Sequence, residues 1–286
     1  MKVFALTSFA LVAFALNSLL CRMALGGGEI DAASFTTVRL VSGALILSVI
    51  LLISKKWNTA TTRGNWPSAF FLFAYAICFS FAYLGLTTGT GALILFGSVQ
   101  ITMIGVSLFK GERPGLLEWL GLGLAFGGLI YLVFPGLSAP PLVSSLLMAT
   151  AGVAWGLYTL RGKGSADPLA DTMGNFVRSV PMVIFASLPF LSQINLSSRG
   201  IILAIISGAV TSGLGYTVWY SALKFHTATR VAILQLSVPV IAAAGGVFLL
   251  SEAADLRLFV AGALILGGIG LAVSTKTPAN ASETPQ

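Results

Sequence analysis

Ten apolar runs of about twenty residues each divide this chain, and they constrain its fold more than any other feature. The runs cover residues 3–23, 34–54, 67–86, 91–109, 116–134, 142–160, 173–192, 200–222, 230–250 and 256–274. A helix needs about 20 apolar residues to cross a bilayer, and it satisfies its own backbone hydrogen bonds in lipid. The runs do not alternate in polarity, as the strands of an outer-membrane barrel would. We therefore predict an all-α polytopic membrane protein with ten transmembrane helices.

The composition excludes an ordinary soluble protein. The chain is 56% hydrophobic and 9% charged, whereas a soluble domain is about 45–50% apolar and about 25% charged. The net charge of +7 does not indicate a nucleic-acid partner, because the basic residues lie mainly in loops between apolar runs. A single histidine, His226, excludes a multi-histidine metal site. The two cysteines lie inside apolar runs and give no metal spacing, so we expect no metal and no cofactor.

Lysine and arginine are distributed unequally between the two sets of loops. With a cytoplasmic N-terminus, eleven basic residues lie on the cytoplasmic side, and three (Arg22, Arg199 and Arg257) lie on the other. Cytoplasmic loops are the ones that carry excess Lys and Arg. We therefore expect a multi-pass protein of the bacterial inner membrane with both termini in the cytoplasm. The polar tail over residues 276–286 is expected to be disordered.

The two halves of the chain repeat each other. Pairs that match at a shift of 139 or 140 are Arg22 and Arg161, Arg39 and Arg178, Glu112 and Glu252, and Gly128 and Gly268. We place the first repeat at residues 1–135 and the second at 136–275. Each repeat holds five runs, and because five is odd, the second repeat must cross the membrane inverted. Inverted repeats are typical of alternating-access transporters, whose substrate site lies near the membrane midplane between the halves.

The motifs at these positions resemble a known family. Lys110-Gly111-Glu112-Arg113 follows the fourth run, Ala154-Trp155-Gly156 lies in the sixth, and the second helix of each repeat carries an early arginine. In these features the chain, over about residues 3–274, is similar to the drug/metabolite transporter superfamily and most similar to its EamA-type ten-helix exporters. Leu16-Asn17-Ser18 departs from the pattern, because such families usually place a tryptophan and a small residue there. The resemblance implies export of amino acids or related metabolites, as in bacterial aromatic amino-acid exporters.

Aromatic and amide side chains inside the runs are candidates to line the transport path. Tyr75, Phe79 and Tyr83 recur every fourth residue and so share one helix stripe. Buried amides need hydrogen-bond partners, and polar groups at this depth normally face the bundle interior or a cavity. An aromatic belt at the membrane interface is the alternative for Tyr83, Trp219 and Tyr220, and an interhelical hydrogen bond is the alternative for the glutamines. The predicted cavity residues are Gln100, Gln235, Tyr75, Phe79, Tyr83, Tyr216, Trp219, Asn17, Trp155 and Tyr158.

One proline and four charged residues receive separate interpretations. Pro239 lies near the centre of the ninth run, where the loss of a backbone hydrogen bond predicts a hinge. Arg39 and Arg178 suit a substrate carboxylate. Each also lies only about 10 Å inside its run by helix rise, so it could snorkel to the interface, and we interpret both as structural or interfacial charges. Glu112 and Glu252 stand at helix ends and are interpreted as solvated caps.

A transporter fits these features better than an enzyme or a channel. A membrane enzyme would need deep catalytic groups, and a channel would not need inverted halves. We predict an alternating-access exporter of small metabolites, foremost amino acids, that acts as a monomer or homodimer. The alternative is a broad drug or quaternary-cation exporter, since aromatic rings can enclose a cation. No Asp or Glu lies deep in any run, which favours facilitated diffusion over proton antiport.

Overall fold

The computed structural model describes residues 2–54, 63–109, 115–134, 136, 139–225, 234–253 and 255–274. Within these ranges the chain is almost entirely helical, and the only strand pairing described is one isolated bridge between Ile30 and Leu196. The first repeat contains α1 (Lys2–Gly26), α2 (Ala32–Ile53), α3 (Trp66–Ala82), α4 (Thr88–Phe109) and α5 (Leu116–Val133). The second contains α6 (Leu142–Gly162), α7 (Pro168–Ser187), α8 (Ser198–Leu223), α9 (Ser237–Leu250) and α10 (Leu256–Ser274).

The predicted fold class is confirmed by these ten helices. Seven of them are long and apolar enough to cross a membrane by length and composition alone. The shorter apolar helices are Trp66–Ala82, Ser237–Leu250 and Leu256–Ala272. The predicted tail at 276–286, Glu112 and His226 lie outside the described residues.

Polar caps fix where several helices begin. The side chains of Asp31, Asn65, Asp167 and Ser197 each accept a hydrogen bond from a backbone N–H in the first turn of α2, α3, α7 and α8 respectively. Such caps satisfy N–H groups that have no partner within the helix. Proline in the first turn of α3 and of α7 costs little, because the N–H that it lacks would be unpaired there.

The predicted start of the seventh helix is wrong by five residues. We predicted 173–192, whereas α7 covers Pro168–Ser187 and is followed by a 3₁₀ turn at Leu188–Gln193. Polar residues in the first two turns, among them Asp171 and Asn175, lower the hydropathy there. The Asp167 cap nevertheless begins the helix, because these polar side chains find partners on the first repeat.

The hinge predicted at Pro239 stays a prediction. Residues 234–235 are helical, Leu236 forms a turn, and α9 covers Ser237–Leu250, so Pro239 lies in the first turn of α9. Proline is tolerated there because first-turn N–H groups lack helical partners. A break in the helical backbone thus exists near Gln235, but it precedes the proline instead of being centred on it.

Successive helices run in opposite directions and define two ends of the bundle. We call them the Lys2 end, where α1 begins, and the Glu29 end, where the α1–α2 loop lies. The repeats meet along several helix pairs, among them α2 with α7, α3 with α6, α4 with α9 and α5 with α10. Gly128 and Gly268 allow α5 and α10 to approach closely, since a Cβ on either glycine would crowd the facing helix. A small-residue contact of this kind is common between membrane helices.

Candidate functional site

A narrow cleft lies where the two repeats meet in the interior of the bundle. Its lining residues are Phe14, Asn17, Tyr75, Phe79, Leu95, Phe96, Trp155 and Tyr216. Five of these, Asn17, Tyr75, Phe79, Trp155 and Tyr216, are residues that the sequence predicts as cavity-lining. The cleft has a volume of about 10 Å³, and one water molecule needs about 10–15 Å³. As the structure has it, this cleft is therefore too small for a metabolite, and we call it occluded in that sense.

Aromatic rings form most of the cleft wall. The ring centroids of Trp155 and Tyr216 are 4.5 Å apart, those of Tyr75 and Trp155 are 5.0 Å apart, and those of Phe14 and Trp155 are 5.7 Å apart. Tilted and edge-on contacts at these separations are favourable arrangements for aromatic pairs. Phe14 belongs to the set but was missed from the sequence, where it looks like any apolar residue of α1.

Arg39 lies at the centre of the polar groups behind this wall. Its side chain is only 1% exposed. Its Nε donates to Ser212 Oγ at 3.0 Å, and its Nη2 donates to the hydroxyls of Tyr75 at 3.1 Å and Tyr216 at 2.9 Å. The guanidinium carbon also lies 5.0 Å from the ring centroid of Phe79. Arg39 thus touches three residues that line the cleft, and it does not snorkel to an interface.

The middle of α8 widens into a π-helix over Ser207–Leu214, and this segment supplies further polar partners. Ser207 and Thr211 donate to Oδ1 of Asn17 at 2.6 and 3.1 Å, while the neighbouring Ser212 accepts from Arg39. The extra residue per turn brings the adjacent residues 211 and 212 to the same cluster, and π-bulges often occur at functional sites. A Cβ at Gly208 would overlap the carbonyl oxygen of Arg39, so glycine permits this contact between α8 and α2.

Asn17 connects the two parts of the cluster. Its Nδ2 donates to the Tyr75 hydroxyl at 3.2 Å, and the Tyr216 hydroxyl lies 3.4 Å from that of Tyr75. Hydrogen bonds therefore join α1, α2, α3 and α8 in one buried network. The short serine and threonine stripe of α8 was the sequence signal that could have identified Ser207, Thr211 and Ser212.

The structure brings Gln100 and Gln235 together but places them outside the cleft lining. Gln100 Nε2 donates to Gln235 Oε1 at 3.5 Å, and both side chains are buried. The contact links α4 to the residues just before α9. Nε2 of Gln235 has no hydrogen-bond partner in the described structure. The geometry matches the interhelical alternative, and a role in substrate contact stays a prediction.

The remaining predicted aromatic residues surround the cleft without lining it. Tyr83, Trp219, Tyr220 and Tyr158 are all buried inside the bundle. An interface belt requires side chains at the lipid boundary, so that alternative does not fit Tyr83, Trp219 or Tyr220. Trp219 packs edge-on against Phe14 at 5.5 Å, and Tyr158 packs against Trp155 at 5.6 Å. These residues support the rings that do line the cleft.

Arg178 occupies a different environment from Arg39, its counterpart in the first repeat. Its Nη1 donates to the backbone carbonyls of Arg63 and Gly174. Arg178 is partly buried at the Lys2 end, where it holds the chain before α3 against α7. The two arginines therefore do not share one packing role, although they occupy equivalent positions in the repeats.

An ion pair joins the two repeats at the Glu29 end. Arg22 Nε lies 3.1 Å from Glu252 Oε1, and the other carboxylate oxygen of Glu252 accepts from the backbone N–H of Thr88 at 2.8 Å. Arg22 also donates to the carbonyl of Tyr83. Glu252 is therefore not the solvated cap expected from the sequence. These bonds close the bundle beneath a cavity of about 300 Å³ that is lined in part by Arg22, Glu29, Arg199 and Glu252.

Loop contacts strengthen the closure at this end. Asn195 donates its backbone N–H to Asp31, and Ser197 donates its hydroxyl to Glu29 at 2.6 Å. Partial burial acts to raise the pKa of Asp31, but hydrogen bonds from Ser34 and Asn195 outweigh it and hold that pKa below its usual value. The carboxylate is thus charged where it ties the α1–α2 loop to the chain before α8.

A second set of polar contacts joins the repeats at the Lys2 end. Asp171 accepts from the backbone N–H of Gly64, and Asn175 accepts from that of Asn65. Arg161 donates to Ser68 Oγ at 3.1 Å. Bonds between the repeats are therefore present at both ends of the bundle among the described residues.

Comparison with known proteins gives a consistent set of likenesses. The profile of a family described as "EamA-like transporter family" matches residues 2–134 and again residues 142–274. An uncharacterized protein of Pseudomonas aeruginosa is 51% identical over 95% of this chain and 94% of its own length. A probable amino-acid metabolite efflux pump of Salmonella typhimurium is 25% identical over 68% of this chain and 70% of its own. One solved crystal structure superimposes with a TM-score of 0.66 at 17% identity, covering 95% of this chain and 96% of the other.

Proposed function

Because the chain belongs to the EamA-like transporter family, in two repeats, we propose that it exports amino acids or related metabolites by alternating access. The observation that carries this proposal is the occluded cleft between the repeats, with polar groups of both halves beside it. Asn17 offers an amide, Tyr75 and Tyr216 offer hydroxyls, and aromatic rings offer apolar surface. A few polar groups beside apolar and aromatic surface are what a site for a small polar ligand with an apolar side chain requires.

The charge distribution supports the proposed orientation in the membrane. With the N-terminus in the cytoplasm, the Lys2 end faces inward and the Glu29 end, with Arg22 and Glu252, faces outward. Substrate enters the cleft when contacts at the Lys2 end separate, and it leaves when the Arg22–Glu252 pair separates. The likeness to an efflux pump supports this direction, and a bacterial inner membrane is the location that fits it.

A quaternary-cation exporter is the second candidate. The rings of Phe14, Tyr75, Trp155 and Tyr216 surround the cleft, and aromatic rings attract organic cations. The Arg39 guanidinium, however, lies directly behind Tyr75 and Tyr216 and repels a second positive charge. Among the residues that the structure describes, no acidic side chain lines the cleft. These charges favour a substrate that carries a carboxylate.

Transport without proton coupling is part of the proposal. Among the described residues, the buried polar side chains include no Asp or Glu. Proton-coupled transporters commonly carry their proton on an intramembrane carboxylate or histidine. Facilitated diffusion down the substrate gradient therefore fits the residues that surround the cleft.

Counterflow in proteoliposomes tests this function. Vesicles with purified protein are loaded with one unlabelled amino acid and then diluted into the same amino acid in labelled form. A panel of amino acids is tested in this way, and tetraethylammonium, a quaternary cation that crosses bilayers poorly without a carrier, is tested in parallel. We expect transient accumulation of one or more amino acids and none of the cation. Accumulation of tetraethylammonium alone would overturn the assignment in favour of the second candidate.

A further inference from the structure

We propose that Arg39 is the group that binds the substrate's carboxylate, and that the carboxylate, not the amino group, is the feature by which the site selects its ligands. The substrate class is then organic monocarboxylates with an apolar or aromatic body, among which amino acids are one case. This inference rests on the proposed function, because it takes the cleft as the transport site.

Arg39 carries a buried charge without an acidic partner. Among the described residues, ion pairs join Arg22 to Glu252 and Arg199 to Glu29, and none involves Arg39. Of the nine Asp and Glu residues in the chain, only Glu112 and Glu283 lie outside the described ranges, and in sequence both are remote from α2. Burying an ion is costly unless it is paired and hydrogen-bonded. Buried arginines within membrane spans are rare and usually mark ligand or ion sites.

The hydrogen bonds of Arg39 leave part of the guanidinium unused. A guanidinium has five N–H donors, and the three hydrogen bonds of Arg39 go to uncharged hydroxyl oxygens on Ser212, Tyr75 and Tyr216. Its Nη1, although buried, has no partner in the described structure. An ionised acceptor makes a hydrogen bond roughly twice as strong as a neutral one. A carboxylate is therefore the acceptor that this guanidinium would bind in preference to the hydroxyls.

The two tyrosine hydroxyls mark the path from the cleft to Arg39. Both Tyr75 and Tyr216 line the cleft, and both accept from the same nitrogen, Nη2. The two hydroxyl oxygens that accept from Nη2 are 3.4 Å apart. A carboxylate that enters the cleft takes this place by moving the two hydroxyls aside, and it then reaches Nη1 as well. Arginine binds carboxylates in this two-nitrogen manner.

The amino group of a substrate finds no comparable partner. Within the described part of the chain, the polar groups that line the cleft are Asn17 and the tyrosine hydroxyls, and Asn17 Oδ1 already accepts from Ser207 and Thr211. An ammonium would be left with ring faces and shared acceptors. A carboxylate without an amino group should therefore bind, whereas an amine without a carboxylate should not.

Ligand-induced stabilisation of the purified protein tests this selection directly. A ligand that binds only the folded state raises the melting temperature, and at one ligand concentration the rise is larger for a ligand that binds more tightly. The probes are phenylalanine, 3-phenylpropionate, which lacks the amino group, and phenethylamine, which lacks the carboxylate. We expect stabilisation by the first two and none by phenethylamine. Stabilisation by phenethylamine equal to that by 3-phenylpropionate overturns the proposal, and so does the absence of any shift with 3-phenylpropionate.

Two arginine variants locate the effect. Arg39→Lys keeps the charge but loses the planar pair of nitrogens. We expect the affinity for 3-phenylpropionate to fall about 10- to 150-fold, because that is the effect of losing one hydrogen bond to a charged group. Arg178→Lys is the matched control at the equivalent position of the second repeat, and it should leave the affinity unchanged. Parent-like affinity in Arg39→Lys contradicts the proposal. If Arg39→Lys does not fold, the probe comparison on the parent protein decides.

The outcome is separable from the proposed function. Binding of 3-phenylpropionate that depends on Arg39, with no amino-acid counterflow, would reject amino-acid export and retain the carboxylate site. Amino-acid counterflow together with equal binding of phenethylamine would retain the export function and reject the role of Arg39.

Discussion

The hydroxyls of Tyr75 and Tyr216 meet at 3.4 Å in the interior of the bundle, although one tyrosine belongs to each repeat. The two residues are 141 positions apart, close to the shift of 139 or 140 that superimposes the repeats in sequence. Nη2 of Arg39 donates to both hydroxyls. The two halves of the chain therefore meet at a shared cation, and relative movement of the halves must change its hydrogen bonds.

Replacing Tyr216 by Phe should destabilise the protein. The change removes one acceptor from the buried guanidinium, and hydrogen bonds to charged groups contribute about 1.5–3 kcal/mol. The free energy of unfolding, measured by denaturant titration in mixed micelles, should fall by that amount. Tyr131→Phe is the control, because Tyr131 is 40% exposed and such surface changes usually stay within about 0.5 kcal/mol. Equal effects of the two substitutions would show that the Tyr216 hydroxyl is not stabilising Arg39.

Hydropathy was sufficient to predict the helices of this protein but not all of their boundaries. A helix that spans the bilayer needs about 20 apolar residues, so long apolar runs separate the spans by composition alone. The start of α7 was displaced because Asp171 and Asn175 are satisfied by groups of the other repeat, which sequence does not reveal. The turn at Leu236 could not be placed from the sequence, because a proline such as Pro239 inside an apolar run looks the same in the first turn of a helix as at its centre.

The site was predictable in its aromatic part and less so in its charged part. Tyr75, Phe79 and Tyr216 were identified because hydroxyls and rings deep in a span need partners. The depth of Arg39 along its helix is compatible with snorkelling, and only the packing of α2 against α8 decides that it points inward. The π-helix in α8 changes which residues face the cluster, so a 3.6-residue period cannot place Thr211 and Ser212 together. Glu252 looked like an end cap because its partner, Arg22, is 230 residues away.

Neutralising Glu252 should increase the fraction of the protein in which the bundle is open at the Glu29 end. Glu252→Gln can still accept from Thr88 but loses its ion pair with Arg22, a partly exposed pair of the kind that contributes about 0.5–1 kcal/mol. In a background without Cys21 and Cys78, a cysteine at Ser18, which is 1% exposed and lies one helical turn below Arg22 in α1, should react about two- to fivefold faster with a maleimide. The control is Glu118→Gln, which removes a charge at the exposed start of α5. Unchanged reactivity in Glu252→Gln would show that the ion pair does not limit opening.

The glutamine pair should behave as one unit. Gln100 donates to Gln235, so either Gln100→Leu or Gln235→Leu removes the same hydrogen bond and leaves one amide unpaired. We expect each substitution to weaken transport at sub-saturating substrate, and the double variant to be no worse than the more affected single variant, because contacting residues are not additive. Transport rates of the three variants, normalised to the amount of protein in the membrane, provide the measurement. Additive losses would indicate that the two amides contact the substrate independently.

Exchange should not depend on a proton gradient. No buried carboxylate occurs among the described residues, so the transport cycle has no evident group on which to carry a proton. Amino-acid counterflow should persist, within twofold, after a protonophore collapses the gradient across the liposome membrane. A strict requirement for an imposed pH difference would contradict this expectation and direct attention to Glu252 and Glu112.

A reversible cross-link between α4 and α9 tests alternating access most directly. A Cβ at position 89 would lie 2.9 Å from the Cβ of Ala243. In a disulfide the two Cβ atoms are about 3.5–4.5 Å apart, so a small shift of the helices would allow the bond to form. In a background without Cys21 and Cys78, the Gly89→Cys/Ala243→Cys protein would be reconstituted, oxidised and assayed for counterflow. The account predicts that exchange falls to the level of empty liposomes on oxidation and returns after reduction. Fully cross-linked protein that exchanges substrate as fast as its reduced form would contradict it.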